Sequence, residues 1–162
     1  APGIGHASLA VEPSLETHSL GHRMEDENIK RHAFLYALYD WCWGGDPQWL
    51  VAIGNEFSYH SHDHGWYFPP VGPNWTKEEL LEKVEVPNIY HAENWNGIPK
   101  EIIQDVIDRL LGVDQATLKG AISTIPADWP VTDQELEHLG FFLEYRARQV
   151  ASRIRQRVGG LA

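Results

Sequence analysis

The residues best equipped for chemistry lie between positions 46 and 65. His60, His62 and His64 alternate in the run His60-Ser61-His62-Asp63-His64. Alternate residues of a strand share a face, so three imidazoles and the Asp63 carboxylate can gather on one side. That donor set suits zinc or iron. A histidine-rich strand with satisfied side chains is the plain structural alternative. A second constellation is built from carboxylates. Asp46 sits in a Gly-rich loop and Asp63 opens Asp63-His64-Gly65. Oxygen donors of this kind suit magnesium, and the glycine permits a sharp backbone turn beside them.

The elements that must position these residues can be read from periodicity and punctuation. Ile29, Phe34, Leu35, Leu38 and Trp41 recur at helical spacing over residues 27–43, with Asp26 as the expected N-cap and Gly44-Gly45 as the stop. Two β-type runs follow, Trp49–Ile53 and Phe57–His62, joined by Gly54-Asn55 as a hairpin. Residues 66–75 read as loop. Thr76 with Glu79 forms a capping box ahead of Leu80, Leu81 and Val84. Pro99 suits the first turn of a helix running to Leu111, and a short helix is expected over 114–123. Thr132 with Glu135 opens a long helix reaching about Val158. Residues 1–25 read as an irregular segment with a short strand near Leu9–Val11. The expected fold is therefore mostly α with one small β-hairpin, in a single domain over 26–162.

Composition bounds the partners. The 162 residues carry 13 basic and 23 acidic side chains, a net charge of −10. Such a surface repels phosphate backbones, so general nucleic-acid binding is not expected. Arg146, Arg148, Arg153, Arg155 and Arg157 crowd one segment, which reads as a solvated helix face. Cys42, flanked by Trp41 and Trp43, reads as a buried structural thiol; as the single cysteine it allows no internal disulfide. Of seven tryptophans, Trp41, Trp43, Trp49, Trp66 and Trp75 crowd into 35 positions, which reads as an aromatic core layer, with a groove wall as the alternative. With no signal peptide and no apolar run long enough to cross a bilayer, a cytoplasmic location and no membrane contact are expected.

Two resemblances give these residues roles. The histidine run is similar to the His-x-His-x-Asp-His signature of metallo-β-lactamase-like hydrolases but one residue short of its spacing, and that reading makes His60, His62 and His64 transition-metal ligands. The order helix, Asp46 loop, hairpin, Asp63-His64-Gly65 resembles the lower lobe of kinase-like phosphotransferases. More narrowly, Tyr39-Asp40-Trp41, Gly45-Asp46, Leu50-Val51 and Ser61-His62-Asp63-His64-Gly65 resemble the HipA-like kinase family. So does the tail, where Ile122–Trp129 and Leu143-Glu144-Tyr145-Arg146 look like the family's "IP-x-x-W" and its final helix with a Leu-x-x-Arg pattern. The resemblance spans roughly residues 27–157. It implies a kinase-like C-lobe and ATP/Mg-dependent phosphoryl transfer to a protein Ser/Thr hydroxyl, with Asp46 orienting or deprotonating the acceptor. It makes Asp63, with Gly65 beside it, the Mg²⁺ and nucleotide site.

The match also departs from the family. Where the family places Asn-x-Asp-Arg, this chain has Gly44-Gly45-Asp46-Pro47, and the second metal-binding asparagine falls at Val51. Gly3-Ile4-Gly5 is too weak for a phosphate-covering loop, and no lysine precedes Lys30. The phosphate-covering lobe is therefore expected from a longer protein or another chain. Otherwise phosphotransfer has been lost and the domain is a non-catalytic interaction module.

Overall fold

The computed structural model describes residues 10–11, 13–17, 21–45, 49–54, 56–62, 64–69, 76–88 and 95–159. The chain is mostly helical with a small antiparallel sheet. Strand β1 covers Ser14–Thr17, β2 Trp49–Ala52 and β3 Ser58–Ser61. The helices are α1 Asn28–Trp41, α2 Lys77–Lys83, α3 Lys100–Leu111, α4 Gln115–Ile122 and α5 Asp133–Gly159, with a 3-10 turn at His64–Trp66.

The main core forms where α1, α3 and α5 meet. Ala33 and Ala37 on α1, and Ala147 and Ala151 on α5, sit four residues apart and are buried. Such spacing puts each pair on one helix face, and their small side chains let helices approach closely. Ile103, Val106, Ile107 and Leu110 supply the apolar stripe of α3, and Val150 and Ile154 that of α5. A second cluster joins Tyr39, Leu80, Leu118, Phe142 and Leu143. A third seats the sheet on α1 through Leu35, Trp49, Val51 and Tyr59. Helix α1 thus packs against two helices and a strand, which is why its buried residues run almost all round it.

Local signals hold where they are local. Thr76 accepts from Glu79 N–H and the Glu79 carboxylate accepts from Thr76 N–H. Thr132 and Glu135 make the same reciprocal pair, with bonds of 3.2 and 2.7 Å, at the start of α5. Asp114 caps α4 by accepting from Thr117 N–H at 2.8 Å. The Pro99 carbonyl accepts the first bonds of α3.

Three expectations are corrected. The hairpin is part of a three-stranded sheet of order β1-β2-β3, with Thr17 opposite Trp49 and Ser14 opposite Ala52. The N-terminal strand is at Ser14–Thr17, whereas Ala10 and Val11 lie outside it and Leu9 lies outside the described residues. Asp26 does not cap α1. It lies at φ 46 two residues before the helix, and its carboxylate takes the Arg31 guanidinium. Expectations at Asn55, Trp75 and residues 3–5 also fall outside the described residues.

No helix among the described residues is long and apolar enough to cross a membrane. Cys42 is buried, as expected, and burial pushes its thiol up to about 12.

Candidate functional site

Asp46 and Asp63 themselves lie outside the described residues. The segments that flank them are described, and they are fastened to each other. Gly45 N–H donates to the Trp66 carbonyl at 2.8 Å, and Phe68 N–H donates to the Cys42 carbonyl at 2.9 Å. On the other side, Trp49 at the head of β2 pairs with Ser61 at the foot of β3. The chain entering residue 46 and the chain leaving residue 63 are therefore bonded, as are the strands between them.

The loop before Asp46 is rigid for identifiable reasons. Gly44 N–H closes the end of α1 on the Tyr39 carbonyl at 2.8 Å. A Cβ on Gly44 would stand 2.2 Å from Tyr39 Cδ1, so no larger residue fits without a shift. Asn88, buried, donates its amide to the Gly44 carbonyl at 2.8 Å and to the Tyr39 carbonyl at 3.1 Å. Two bulky residues here take positive φ, Trp43 at 56° and Phe68 at 67°. Non-glycine residues rarely adopt that region, and such strain persists only where surrounding contacts over-determine it.

Beneath the loop lies a buried ionic hub. The Asp40 carboxylate accepts from Arg146 Nη2 at 2.7 Å, from Arg153 Nη2 at 2.9 Å and Nε at 3.0 Å, and from Asn88 N–H at 3.1 Å. Arg146 Nε also donates to the Asp40 carbonyl at 2.6 Å, and its Nη1 to Val86 and Lys83 carbonyls. The guanidinium stacks 4.6 Å from the Trp43 ring, and Lys83 Nζ lies 5.6 Å from the same ring. Burial lowers Arg146 to about 10, against the pull of Asp40. The expectation of a solvated arginine face is thus corrected for two of its members. Arg146 is fully buried and Arg153 half-buried, while Arg148, Arg155 and Arg157 are exposed. The hub is a feature that sequence reasoning missed. Its signal was present: Arg146 falls inside the stripe Leu139, Phe142, Leu143, Ala147, Val150, Ala151 and Ile154, where a charge demands a buried partner.

The histidines separate. His60 Nε2 is 3.0 Å from Ser58 Oγ. His64 Nε2 is bonded to Ser61 Oγ, and its ring stands edge-on to Tyr67 at 5.0 Å. His62 Nε2 is buried with no hydrogen-bond partner among the described residues. Among those residues no group of three His, Cys, Asp or Glu side chains converges as a metal site. Gly65 is exposed in the 3-10 turn. Burial pushes the Tyr67 phenol up, with Tyr39 adding to it.

The aromatics divide in the same way. Trp49 is a core residue, as expected, whereas Trp66 is exposed; outside that cluster Trp95 is buried and Trp129 exposed. Comparison with protein-family models, curated proteins and solved structures finds no match to this chain.

Proposed function

We propose that this chain is the C-terminal lobe of a HipA-like kinase, serving ATP/Mg-dependent phosphoryl transfer to a protein Ser/Thr hydroxyl. The observation that supports this reading best is the double fastening around the two aspartates. Gly45 and Cys42 are bonded to Trp66 and Phe68, and Trp49 pairs with Ser61. Phosphoryl transfer is mostly positioning and electrostatics. Braced segments that flank each aspartate in the chain are consistent with that demand.

In this proposal Asp46 accepts the proton of the attacking hydroxyl, and Asp63 holds magnesium. The donor chemistry fits magnesium better than zinc. Asp63 is a hard oxygen donor, whereas His60 and His64 each engage Nε2 with a neighbouring serine. Mg-ATP, when bound, supplies the phosphoryl group. Gly65, exposed in the 3-10 turn two positions after Asp63 in the chain, would take part in holding the nucleotide. Asp40, Arg146 and Asn88 position the Asp46 loop from beneath. The proposal assigns the phosphate-covering lobe to sequence outside residues 26–162, in a longer protein or another chain, with a cytoplasmic protein as substrate.

The test is a calorimetric titration of the chain with Mg-ATP, repeated on Asp63→Ala and Asp46→Ala. Mg-dependent binding should vanish in Asp63→Ala and survive in Asp46→Ala. Binding that survives Asp63→Ala would sink the site assignment.

A further inference from the structure

A cavity of about 540 Å³ opens between α1, α3 and β3, away from the Asp40 hub. We propose that it binds an amphipathic monocarboxylate: a small anion with an apolar body. The proposal does not depend on phosphoryl transfer.

The walls decide the body of the ligand. Phe34, Leu38 and Trp41 come from α1, and Leu110 and Val113 from α3 and the residues just after it. Two polar groups of the lining, on Trp41 and Tyr59, are already engaged. Trp41 Nε1 donates to the Leu143 carbonyl at 2.8 Å, so the indole offers the cavity only its ring. The Tyr59 hydroxyl accepts His22 N–H at 2.9 Å. A volume of this size, mostly apolar with few polar groups, is typical of small-molecule sites.

The rim decides the head group. Arg31 and Arg109 both border the cavity, and none of its described lining residues is acidic. Each arginine is paired with one carboxylate that stands outside the lining, Arg31 with Asp26 and Arg109 with Asp105. Arg109 uses Nε on Asp105 at 3.0 Å and lies 5.4 Å from the Phe34 ring. Its two Nη nitrogens have no hydrogen-bond partner among the described residues. Arg31 uses Nη1 on Asp26 and on Asn28 Oδ1. A guanidinium with open donors matches a carboxylate, and apolar walls lining the same cavity suit an apolar body that carries one.

The experiment titrates the chain with dodecanoate below its micellar concentration, by calorimetry and by tryptophan fluorescence. Dodecanol and dodecyltrimethylammonium are the comparison ligands. One dodecanoate should bind per chain, about tenfold or more tighter than either comparison ligand. Arg109→Gln, at an exposed position, should weaken dodecanoate about five- to tenfold and leave dodecanol unchanged. Leu38→Trp should fill the cavity and abolish binding of both. Absence of saturable binding, equal affinity for the cationic amphiphile, or full dodecanoate affinity in Arg109→Gln would each overturn the proposal. The last outcome holds even if Leu38→Trp fails to fold.

Discussion

Arg146 and Asp40 stand 106 residues apart in the chain, yet their side chains meet at 2.7 Å with almost no exposure to water. The pair pins the middle of α5 to the last turn of α1, directly under the loop that leads into Asp46. Its two members are not equivalent. Asp40 serves two arginines, while Arg146 serves one carboxylate and several carbonyls.

That asymmetry predicts the order of damage. Asp40→Ala leaves both Arg146 and Arg153 without their counter-charge and should cost about 3–5 kcal/mol. Arg146→Met removes the buried cation, keeps much of its volume and leaves Asp40 paired with Arg153, so it should cost less. Arg146→Lys should recover little, because one ammonium cannot reach the acceptors that Nε, Nη1 and Nη2 reach separately. Urea unfolding of the three variants checks the order. Equal losses for Asp40→Ala and Arg146→Met would refute the asymmetry.

Gly44→Ala places a methyl group 2.2 Å from Tyr39 Cδ1, and Tyr39 is only 1% exposed, so its ring has no room to retreat. The loop must move instead. We expect a loss of about 1–3 kcal/mol, with the Asn88 and Trp66 contacts of the loop disturbed. Thermal unfolding gives the cost. Amide hydrogen exchange at Gly45 should rise sharply; unchanged protection there would show that the close approach is not what holds the loop.

His32 predicts a pH dependence. It is wholly buried among Tyr36, Trp49 and Tyr59, and neither ring nitrogen has a hydrogen-bond partner among the described residues. Burial first, and then Arg23, lower it from 6.5 to about 4. The unfolded chain therefore binds a proton that the folded one refuses. Its contribution is fully present above pH 6.5 and is lost as pH falls towards 4, with a ceiling of about 3 kcal/mol. His32→Phe removes the proton site and no hydrogen bond, so it should flatten the stability profile between pH 4 and 6.5. A slope identical to that of the parent chain would exclude His32 as its source.

Much of the secondary structure was legible because its causes are neighbours in sequence. Thr76 with Glu79, Thr132 with Glu135 and Asp114 with Thr117 each satisfy helix N–H groups within three residues. The β2–β3 pairing was legible for the same reason, since only a few residues around Gly54 separate the two β-type runs. Asp26 misled because Arg31 claims its carboxylate. Strand β1 was misplaced because Ser14–Thr17 is mostly exposed and forms a strand only through a distant partner, β2.

The sequence by itself determined the helices, the capping boxes at Thr76 and Thr132, the hairpin and the order of Asp46 and Asp63 along the chain. Only the tertiary structure decided that Cys42 and Gly45 are bonded to Phe68 and Trp66, and that Asp40, Arg146 and Arg153 form one hub. The reason is physical. A cap or a turn is stabilised by groups a few bonds away, so its residues announce it. A buried charge is tolerable only beside its partner, and which residue that partner is depends on how α1 and α5 pack.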